Sequence, residues 1–321
     1  MRKPFTQAIF LDTQSVNAYP TGRATHTTKT SRTLDRKGRR TMIKAILVCT
    51  DGSDFGTAAC RYGMHLAQRL HASLTGLHVL DSRMLEGPLM ADISGWIGAQ
   101  PYGAQLQQFR ELMQQKGETI VQSFDELCSE SGVAGESVLK MGHPARVIIE
   151  EETRAELILI GQRGEHADLV GDMLGSTAER ISRNSIKPCL VTGNTFQPVN
   201  KILAAYDGSG HSSQALHEAI ELAQALDVAL VILTVAEPGS TCDVDQIVAD
   251  GRRLAEAHDC PAQVVEQEGA PEDVVLAQAA ALECDLIVVG AHGHGRIREM
   301  FLGSTTTRLI TQSSLPVMLV R

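Results

Sequence analysis

The chain carries one order of landmarks twice, and this internal repeat limits the folds open to it. In each copy an apolar strand ends in Asp-Gly-Ser, a later strand ends in Gly-x-x-Gly, and Gly-Ser-Thr follows after nine or ten further residues. Repetition at domain length indicates a duplicated domain. Because strands alternate with helices within each copy, the pattern predicts two tandem α/β domains built on parallel strands with right-handed crossovers.

The first copy is the longer of the two. The offset between copies is 156 residues at the Asp-Gly-Ser sites and 128 residues at the Gly-Ser sites, a difference of 28 residues. Most of this surplus falls within residues 81–131, where Gly and Pro predict a loop or lid over 81–101 and a 3.6-residue apolar period predicts a helix over 102–128. The predicted strands of the first copy are Ile43–Cys49, Ser73–Leu80, Ser137–Met141, a strand ending at Gly161, and Pro188–Val191.

Charge divides the chain into a basic leader and an acidic body. Residues 1–41 carry nine Lys/Arg against two Asp, a net charge of +7, and since the whole chain carries −9 the remainder carries −16. The leader has neither an apolar period nor the apolar centre of a secretory signal, which favours a disordered tail or an upstream start-site artefact before Met42. The domains are then expected at 42–196 and 197–321.

Composition excludes several classes of function. So acidic a body argues against a nucleic-acid backbone as the main partner, and no apolar run approaches the roughly 18 residues of a membrane span. The seven cysteines form no Cys-x-x-Cys pair and no Cys/His cluster with zinc spacing, so we expect reduced thiols, no metal site and a cytoplasmic location. Neither Gly-x-x-x-x-Gly-Lys-Ser/Thr nor Gly-x-Ser-x-Gly occurs, and no catalytic residue is assigned.

The segment from Gly290 to Thr305 has the composition of an anion site. A β-branched strand leads into two closely spaced glycines, and Gly-Ser-Thr then opens a helix. Glycine lets the backbone approach a ligand, and a helix N-terminus adds unpaired N–H donors and partial positive charge, which together favour a phosphate. The hydroxyls of Ser304 and Thr305 could donate to the same anion. The alternative is an ordinary β–α turn in which Ser304 caps the helix.

Asp51 and Asp207 each follow the first strand of their copy. In an open parallel sheet, ligands bind beyond the carboxyl ends of the strands, where the strand order reverses. If the first and fourth strands are neighbours at that point, the carboxylate and the glycine loop face one crevice, which suits a nucleotide. The alternative role for both aspartates is helix N-capping.

These motifs together resemble a known family. Gly290-x-x-Gly293, followed after nine residues by Gly303-Ser304 and preceded by Asp-Gly-Ser after the first strand, is similar to the ATP-binding branch of the universal stress protein family. The resemblance covers residues 42–321 and implies two Rossmann-like domains of the adenine nucleotide α hydrolase-like type, each a five-stranded parallel sheet in the order 3-2-1-4-5. It also implies that the last strands of the two domains pair as an intramolecular pseudo-dimer, and leaves open whether two chains form a homodimer.

The resemblance implies ATP as the ligand, with or without Mg²⁺. Asp207 and the backbone of Val235 would lie near adenine and ribose, and the glycine loop would line the ribose and phosphates. The implied nucleotide-binding positions are Asp207, Gly208, Ser209, Val235, Gly290, Gly293, Gly303, Ser304 and Thr305 in the second domain and Asp51, Gly52, Ser53, Val79, Gly161, Gly164, Gly175, Ser176 and Thr177 in the first.

The first domain departs from the family pattern. Ten residues instead of nine separate Gly164 from Gly175, and its loop carries Glu165 and Asp168 where the second domain has a histidine and an isoleucine. Because carboxylates near a phosphate are unfavourable at low effective dielectric, we expect tighter ATP binding in the second domain.

The expected function is a stress-response or regulatory switch. Binding of an adenine nucleotide would shift a conformational equilibrium of the glycine loops and the 81–101 lid, and the output would be an interaction with an unidentified protein partner. The alternative is an enzyme on the same fold, a slow ATPase or a nucleotidyl-transferring relative. A third reading is a structural module in which both sites are vestigial.

Overall fold

A computed structural model describes residues 43–86, 102–165, 167, 173–239, 242–291 and 302–321. The basic leader, residues 1–41, and most of the predicted 81–101 lid lie outside the described residues. In the described ranges, no helix combines the length and the apolar character needed to cross a bilayer.

The first half contains five strands and five helices in its described part, with a 3₁₀ turn at Glu152–Arg154. Its elements are β1 (Ala45–Cys49), α1 (Asp54–Leu70), β2 (Ser73–Asp81), α2 (Arg83–Glu86), α3 (Tyr102–Ser131), β3 (Gly135–Gly142), α4 (Pro144–Glu151), β4 (Leu157–Gly161), α5 (Ser176–Asn184) and β5 (Cys189–Thr192).

The second half repeats this order with a shorter central helix and, among the described residues, without a counterpart of α2. Its elements are β6 (Lys201–Ala205), α6 (Gly210–Leu226), β7 (Ala229–Ala236), α7 (Val244–Ala257), β8 (Ala262–Glu268), α8 (Pro271–Ala281), β9 (Leu286–Gly290), α9 (Ser304–Gln312) and β10 (Val317–Val320).

All ten strands belong to one continuous sheet. Its order is β3-β2-β1-β4-β5-β10-β9-β6-β7-β8, so each half has the predicted order 3-2-1-4-5. The strands within each half pair in parallel, whereas β5 and β10 pair antiparallel, with Val191 opposite Val317 and Cys189 opposite Leu319. The predicted pairing of the two last strands is therefore confirmed. The strand order reverses beside β1 and β4 in the first half and beside β6 and β9 in the second.

Helices cover both faces of the sheet, which explains why the strands are apolar along their whole length. Ile46 and Val48 of β1 pack into one core layer with α1, α3, α6 and α7, while Leu47 and Cys49 pack into the opposite layer with α4, α5, α8 and α9. Every residue of β4 is buried. Each half therefore buries a sandwich of helix, sheet and helix.

The cysteines behave mainly as small apolar residues. Six of the seven are buried and Cys242 is exposed. Burial raises the pKa of Cys60 and of Cys189 to about 12, so both thiols stay protonated at neutral pH.

One detail of the predicted lid is wrong. Residues 83–86 form the single helical turn α2 instead of a loop. The carboxylate of Asp81 accepts a hydrogen bond from the backbone N–H of Arg83 at 3.0 Å and also pairs with the Arg83 guanidinium, and these local contacts begin the turn.

The surplus of the first half lies where it was predicted. A Cβ placed on Gly52 would lie 2.9 Å from Ile120, and one on Gly208 would lie 3.1 Å from Ile247, so these isoleucines occupy equivalent places. Sixty-seven residues lie between Gly52 and Ile120 and 38 between Gly208 and Ile247, so the extra chain falls before Ile120. It lengthens α3 to 30 residues, whereas α7 has 14.

Candidate functional site

The Asp-Gly-Ser turns have the same local structure in both halves. One carboxylate oxygen of Asp51 accepts from the backbone N–H of Ser53 at 3.1 Å and from its hydroxyl at 2.5 Å, and Asp207 accepts from the N–H of Ser209 at 2.9 Å. The hydroxyls of Ser53 and Ser209, in turn, cap α1 and α6. Helix N-capping by the aspartates is therefore wrong, because the serines perform it, and each carboxylate lies beyond its strand at the switch point.

The helices that follow the glycine loops begin without a side-chain cap. Gly175 and Gly303 occupy the N-cap positions of α5 and α9, and among the described residues no side chain accepts from the first turn of either helix. Ser176 and Ser304 are the first helical residues, and both are exposed. The proposed capping role of Ser304 is therefore wrong. Uncapped N–H groups and the helix dipole leave both N-termini suited to an anion.

In the first half these elements enclose a cavity of 570 Å³. Asp51 lies at its β1 end, Val79 lines it from β2, and the glycine loop and the start of α5 line the opposite side. The second carboxylate oxygen of Asp51 accepts from the backbone N–H of Glu165 at 2.7 Å, directly after Gly164. The carboxylate therefore reaches across from β1 to the loop that follows β4. The predicted residues lining this cavity are Asp51, Val79, Gly161, Gly164, Gly175, Ser176 and Thr177.

Helices α2 and α3 cover the first cavity with residues that the motifs did not indicate. Phe109, Leu112 and Met113 of α3 form an apolar wall with Met84 of α2, and Leu112 stays 62% exposed. On the same side of α3, the ammonium of Lys116 forms an ion pair with Glu165. The sequence does contain a signal, because Lys116 interrupts the apolar stripe between Met113 and Ile120.

The second half encloses an equivalent cavity of 580 Å³. Val244 and Ile247 of α7 form one wall of it. The hydroxyl of Thr305 donates to Glu272 at 3.4 Å. Gly293 lies outside the described residues. The predicted residues lining this cavity are Asp207, Val235, Gly290, Gly303, Ser304 and Thr305.

The remaining predicted residues have structural roles in the turns. Gly52 and Gly208 adopt φ values of +80° and +78°, a conformation that favours glycine, and neither they nor the capping serines Ser53 and Ser209 line the two nucleotide-sized cavities. Their predicted contact with the ligand stays a prediction. What they determine in the structure is the direction in which each first helix leaves its strand.

Two loop glycines are required by packing before any ligand is considered. A Cβ on Gly161 would lie 2.9 Å from the backbone carbon of Phe55, and one on Gly290 would lie 2.9 Å from that of His211. Gly164 differs, because its Cβ would lie 2.5 Å from the carboxylate of Asp51. The first two glycines therefore bring the fourth strand against the first helix, and the third gives room to the carboxylate in the cavity.

His78 distinguishes the first cavity from the second, where Thr234 takes its place. The ring is buried, and its Nδ1 donates to the carbonyl of Thr50 at 2.8 Å. Burial lowers the pKa of His78, with Lys116 acting in the same direction, while the Thr50 carbonyl and the carboxylates of Asp51 and Glu165 oppose the shift. The ring is therefore neutral at pH 7 and adds no positive charge to the cavity.

Equivalent cavities at the two switch points of one sheet define a tandem-domain α/β protein with one candidate small-molecule site in each half. Their volumes lie in the range usual for ligand pockets. The chain belongs to the universal stress protein family, whose model matches residues 42–193 and again residues 198–321.

Similar proteins have the same tandem length. A universal stress protein of Synechocystis sp. is 30% identical over 287 residues, which cover 87% of this chain and 100% of the relative. One from Mycolicibacterium smegmatis is 27% identical over 300 residues, covering 86% of this chain and 96% of the relative. The crystal structure of a universal stress protein from Archaeoglobus fulgidus matches with a TM-score of 0.66 at 20% identity and covers 86% of this chain and 96% of that chain.

Proposed function

We propose that this universal stress protein binds ATP or a related adenine nucleotide in its two cavities and acts as a regulatory switch in a stress response. One observation carries the proposal. In each half a carboxylate beyond the first strand and an uncapped helix N-terminus after the fourth strand line one cavity of 570 to 580 Å³. An acid opposite an anion-binding helix end matches the two ends of a nucleotide.

The nucleotide would lie across the sheet edge in each half. Asp207 and the backbone of Val235 would bind ribose and adenine, and the backbone at Gly303 with the hydroxyl of Ser304 would bind the phosphates, with or without Mg²⁺. In the first half the equivalent contacts would come from Asp51, Val79, Gly175 and Ser176. We therefore propose the same class of ligand for both cavities.

Ligand binding would regulate the protein through the elements that the first glycine loop contacts. The first glycine loop contacts α3 through Lys116 and β1 through Asp51, so a ligand that displaces either contact changes how α3 meets the loop. Such a change in a surface helix is a signal that a protein partner can recognise. A cytoplasmic location is part of the same proposal.

Serine substitutions test nucleotide binding directly. Ser176→Glu and Ser304→Glu place a carboxylate at exposed first-turn positions, where the helix dipole tolerates it but a phosphate is repelled. The doubly substituted protein should bind ATP at least about tenfold more weakly in calorimetry. The matched Ser176→Ala/Ser304→Ala protein loses the hydroxyl contacts but adds no negative charge, so it should bind ATP more tightly than the glutamate protein. Equal ATP affinity in the glutamate variant and wild type would disprove binding at these helix ends.

Incubation with radiolabelled ATP separates a switch from an enzyme. A switch retains intact ATP over many hours, with and without Mg²⁺. Steady release of ADP or phosphate, abolished in the Ser176→Glu/Ser304→Glu protein, would establish the alternative, a slow ATPase on the same sites. Loss of the activity in that variant also excludes a contaminating enzyme.

A further inference from the structure

The extra turns of α3 place a lysine in the first cavity at a position where the second half has an acid. Since Ile120 and Ile247 occupy equivalent places, Lys116 corresponds to Asp243, four residues earlier in each case. In α7 the carboxylate of Asp243 caps the helix by accepting from the N–H of Gln246 at 3.1 Å. In α3 the helix continues through this position, so its residue is released from capping and lines the cavity.

The resting partner of Lys116 is part of the glycine loop. Its ammonium pairs with the carboxylate of Glu165, the residue after Gly164, and the two side chains are 54% and 50% exposed. An ion pair this exposed stabilises the fold only weakly, because water and salt screen it. A more highly charged anion in the same cavity can therefore displace Glu165 from the lysine.

The cavity brings the lysine and the anion-binding helix end into one space. Lys116 lines it together with Gly164, Ser176 and Thr177. A lysine side chain is flexible over four carbons and presents a compact charge, which suits a phosphate chain of variable length. The end of a phosphate chain that begins at α5 is the part that would extend toward α3 and the loop.

We propose that Lys116 is a phosphate-binding residue that makes the first site select nucleotides by phosphate charge, favouring a nucleoside triphosphate over a monophosphate. The selection rests on the proposed nucleotide binding of that site. In the unliganded protein Glu165 holds the lysine; in the complex the terminal phosphate replaces Glu165. The backbone contacts of the glycine loop and α5 are the same for every nucleotide, and Lys116 adds a contact that only the longer phosphate chains reach.

Calorimetry in the Ser304→Glu background, in which ATP binding at the second site is weakened, tests this selection. Lys116→Gln should weaken ATP binding about five- to tenfold, ADP binding less, and AMP binding less than about twofold. It should also reduce the dependence of ATP affinity on salt concentration. Lys116→Arg should keep the preference for ATP, and Glu165→Gln should strengthen ATP binding by releasing the lysine.

A matched control uses a second lysine–glutamate pair among the described residues of this half. Lys140 of β3 pairs with Glu151 outside the cavity, so Lys140→Gln should leave the ratio of ATP to AMP affinity unchanged. An unchanged ratio in Lys116→Gln would overturn the inference while nucleotide binding stands, and so would weaker ATP binding in Glu165→Gln. If the folded Ser304→Glu protein binds none of the three nucleotides, the proposed function of the first site fails together with the inference.

Discussion

The two halves share one topology but cover their cavities differently. In the first half α3 runs for 30 residues and brings an apolar wall and Lys116 over the site, whereas in the second half α7 runs for 14 residues and begins at the cavity wall. The turns after β1 and β6 and the uncapped helices α5 and α9 are the same in both halves. The turns and the uncapped helix ends are thus alike in both halves, whereas the helices that cover the two cavities differ.

The core shows the same kind of divergence at a single contact. In the first half Phe124 of α3 lies over Gly76 of β2, where a Cβ would approach the ring within 2.6 Å. In the second half the large and small residues are exchanged, since Ile232 of β7 faces Gly251 of α7 with 3.4 Å between a Cβ on the glycine and the isoleucine. A Cβ on Gly251 would also lie 3.0 Å from Tyr206, so in the second half this space is filled from the sheet side, and in the first half by the helix residue Phe124.

The largest expected effect on stability comes from substitutions that disrupt the contact between Phe124 and Gly76. Phe124 is 1% exposed, and Phe124→Ala should lower the free energy of unfolding by about 3–5 kcal/mol because it leaves a cavity against the sheet. Gly76→Ile alone should cost about 1–3 kcal/mol through overpacking. The double variant places the large residue on the strand, as in the second half, and its loss should be at least about 2 kcal/mol smaller than the sum of the two single losses. Urea unfolding measures all three.

A distant pair provides the control for that cycle. Gly76→Ile combined with Ile310→Ala, on the opposite core layer of the other half, should show additive losses. If the losses of Gly76→Ile and Phe124→Ala are also additive, these two positions do not pack against each other as the exchanged contact requires.

The next effect concerns the glycines at the ends of β4 and β9. Gly161→Ala and Gly290→Ala should each lower the free energy of unfolding by about 1–3 kcal/mol, because the new Cβ meets the backbone of the neighbouring helix. Gly175→Ala is the matched control. Its φ of −61° suits alanine and its nearest neighbour atom is at 3.4 Å, so the loss should stay below about 1 kcal/mol, the cost of alanine at an N-cap position. Equal stability of all three variants would show that the strand ends tolerate a side chain and that only a ligand requires glycine.

The sequence predicted those parts of the molecule that depend on local pattern. The alternation of strands and helices, the repeat, the strand order implied by the family resemblance and the pairing of β5 with β10 are all found in the structure. The predicted helix over 102–128 extends to Ser131, and the predicted lid contains α2. The helices and strands are determined by periodicity and turn residues within a short window, whereas the strand order and the β5–β10 pairing were implied only by the family resemblance.

Contacts between distant windows could not be read in the same way. Lys116 and Glu165 lie 49 positions apart in the sequence, and their pairing depends on which face of α3 rests on the sheet. The role of Ser53 as the helix cap was also missed, because Asp51 is an equally good capping residue by type and only the backbone shows which of the two directly precedes α1. The sequence thus predicted the part of the candidate site at the strand ends. It did not predict the contacts that α2 and α3 make over the first cavity.

A third prediction ranks the two sites. In ATP calorimetry, Ser304→Glu should weaken the affinity of the tighter binding event by about tenfold or more. Ser176→Glu should weaken the affinity of the other event by a similar factor. The reason is not the repulsion between loop carboxylates and phosphate that the sequence suggested, because the ammonium of Lys116 neutralises the charge of Glu165. A ligand in the first half has to displace Lys116 from Glu165 and compete with the Glu165 N–H for Asp51. The serine pair is the cleaner comparison, because Gly164→Ala would also push against the Asp51 carboxylate. Tighter ATP binding in the first half than in the second would show that displacing these two contacts costs little free energy.

The smallest expected effect is on pH dependence and comes from the exchange of His78 for Thr234. Because burial lowers the pKa of His78 in the folded protein, the unfolded chain binds the proton more readily. The stability from a neutral His78 is therefore complete above the unfolded pKa of about 6.5 and is lost as the pH falls below it. His65, whose pKa burial also lowers, contributes in the same direction.

His78→Thr copies the second half at this position and should make the free energy of unfolding less dependent on pH between pH 7.5 and 5. The comparison uses the change between these pH values in urea unfolding, because the substitution itself alters stability at every pH through the lost Thr50 contact. Only the pH-dependent part reports the ring, since threonine does not titrate. Identical pH dependence in variant and wild type would show that His78 gains a proton as easily in the folded protein as in the unfolded chain.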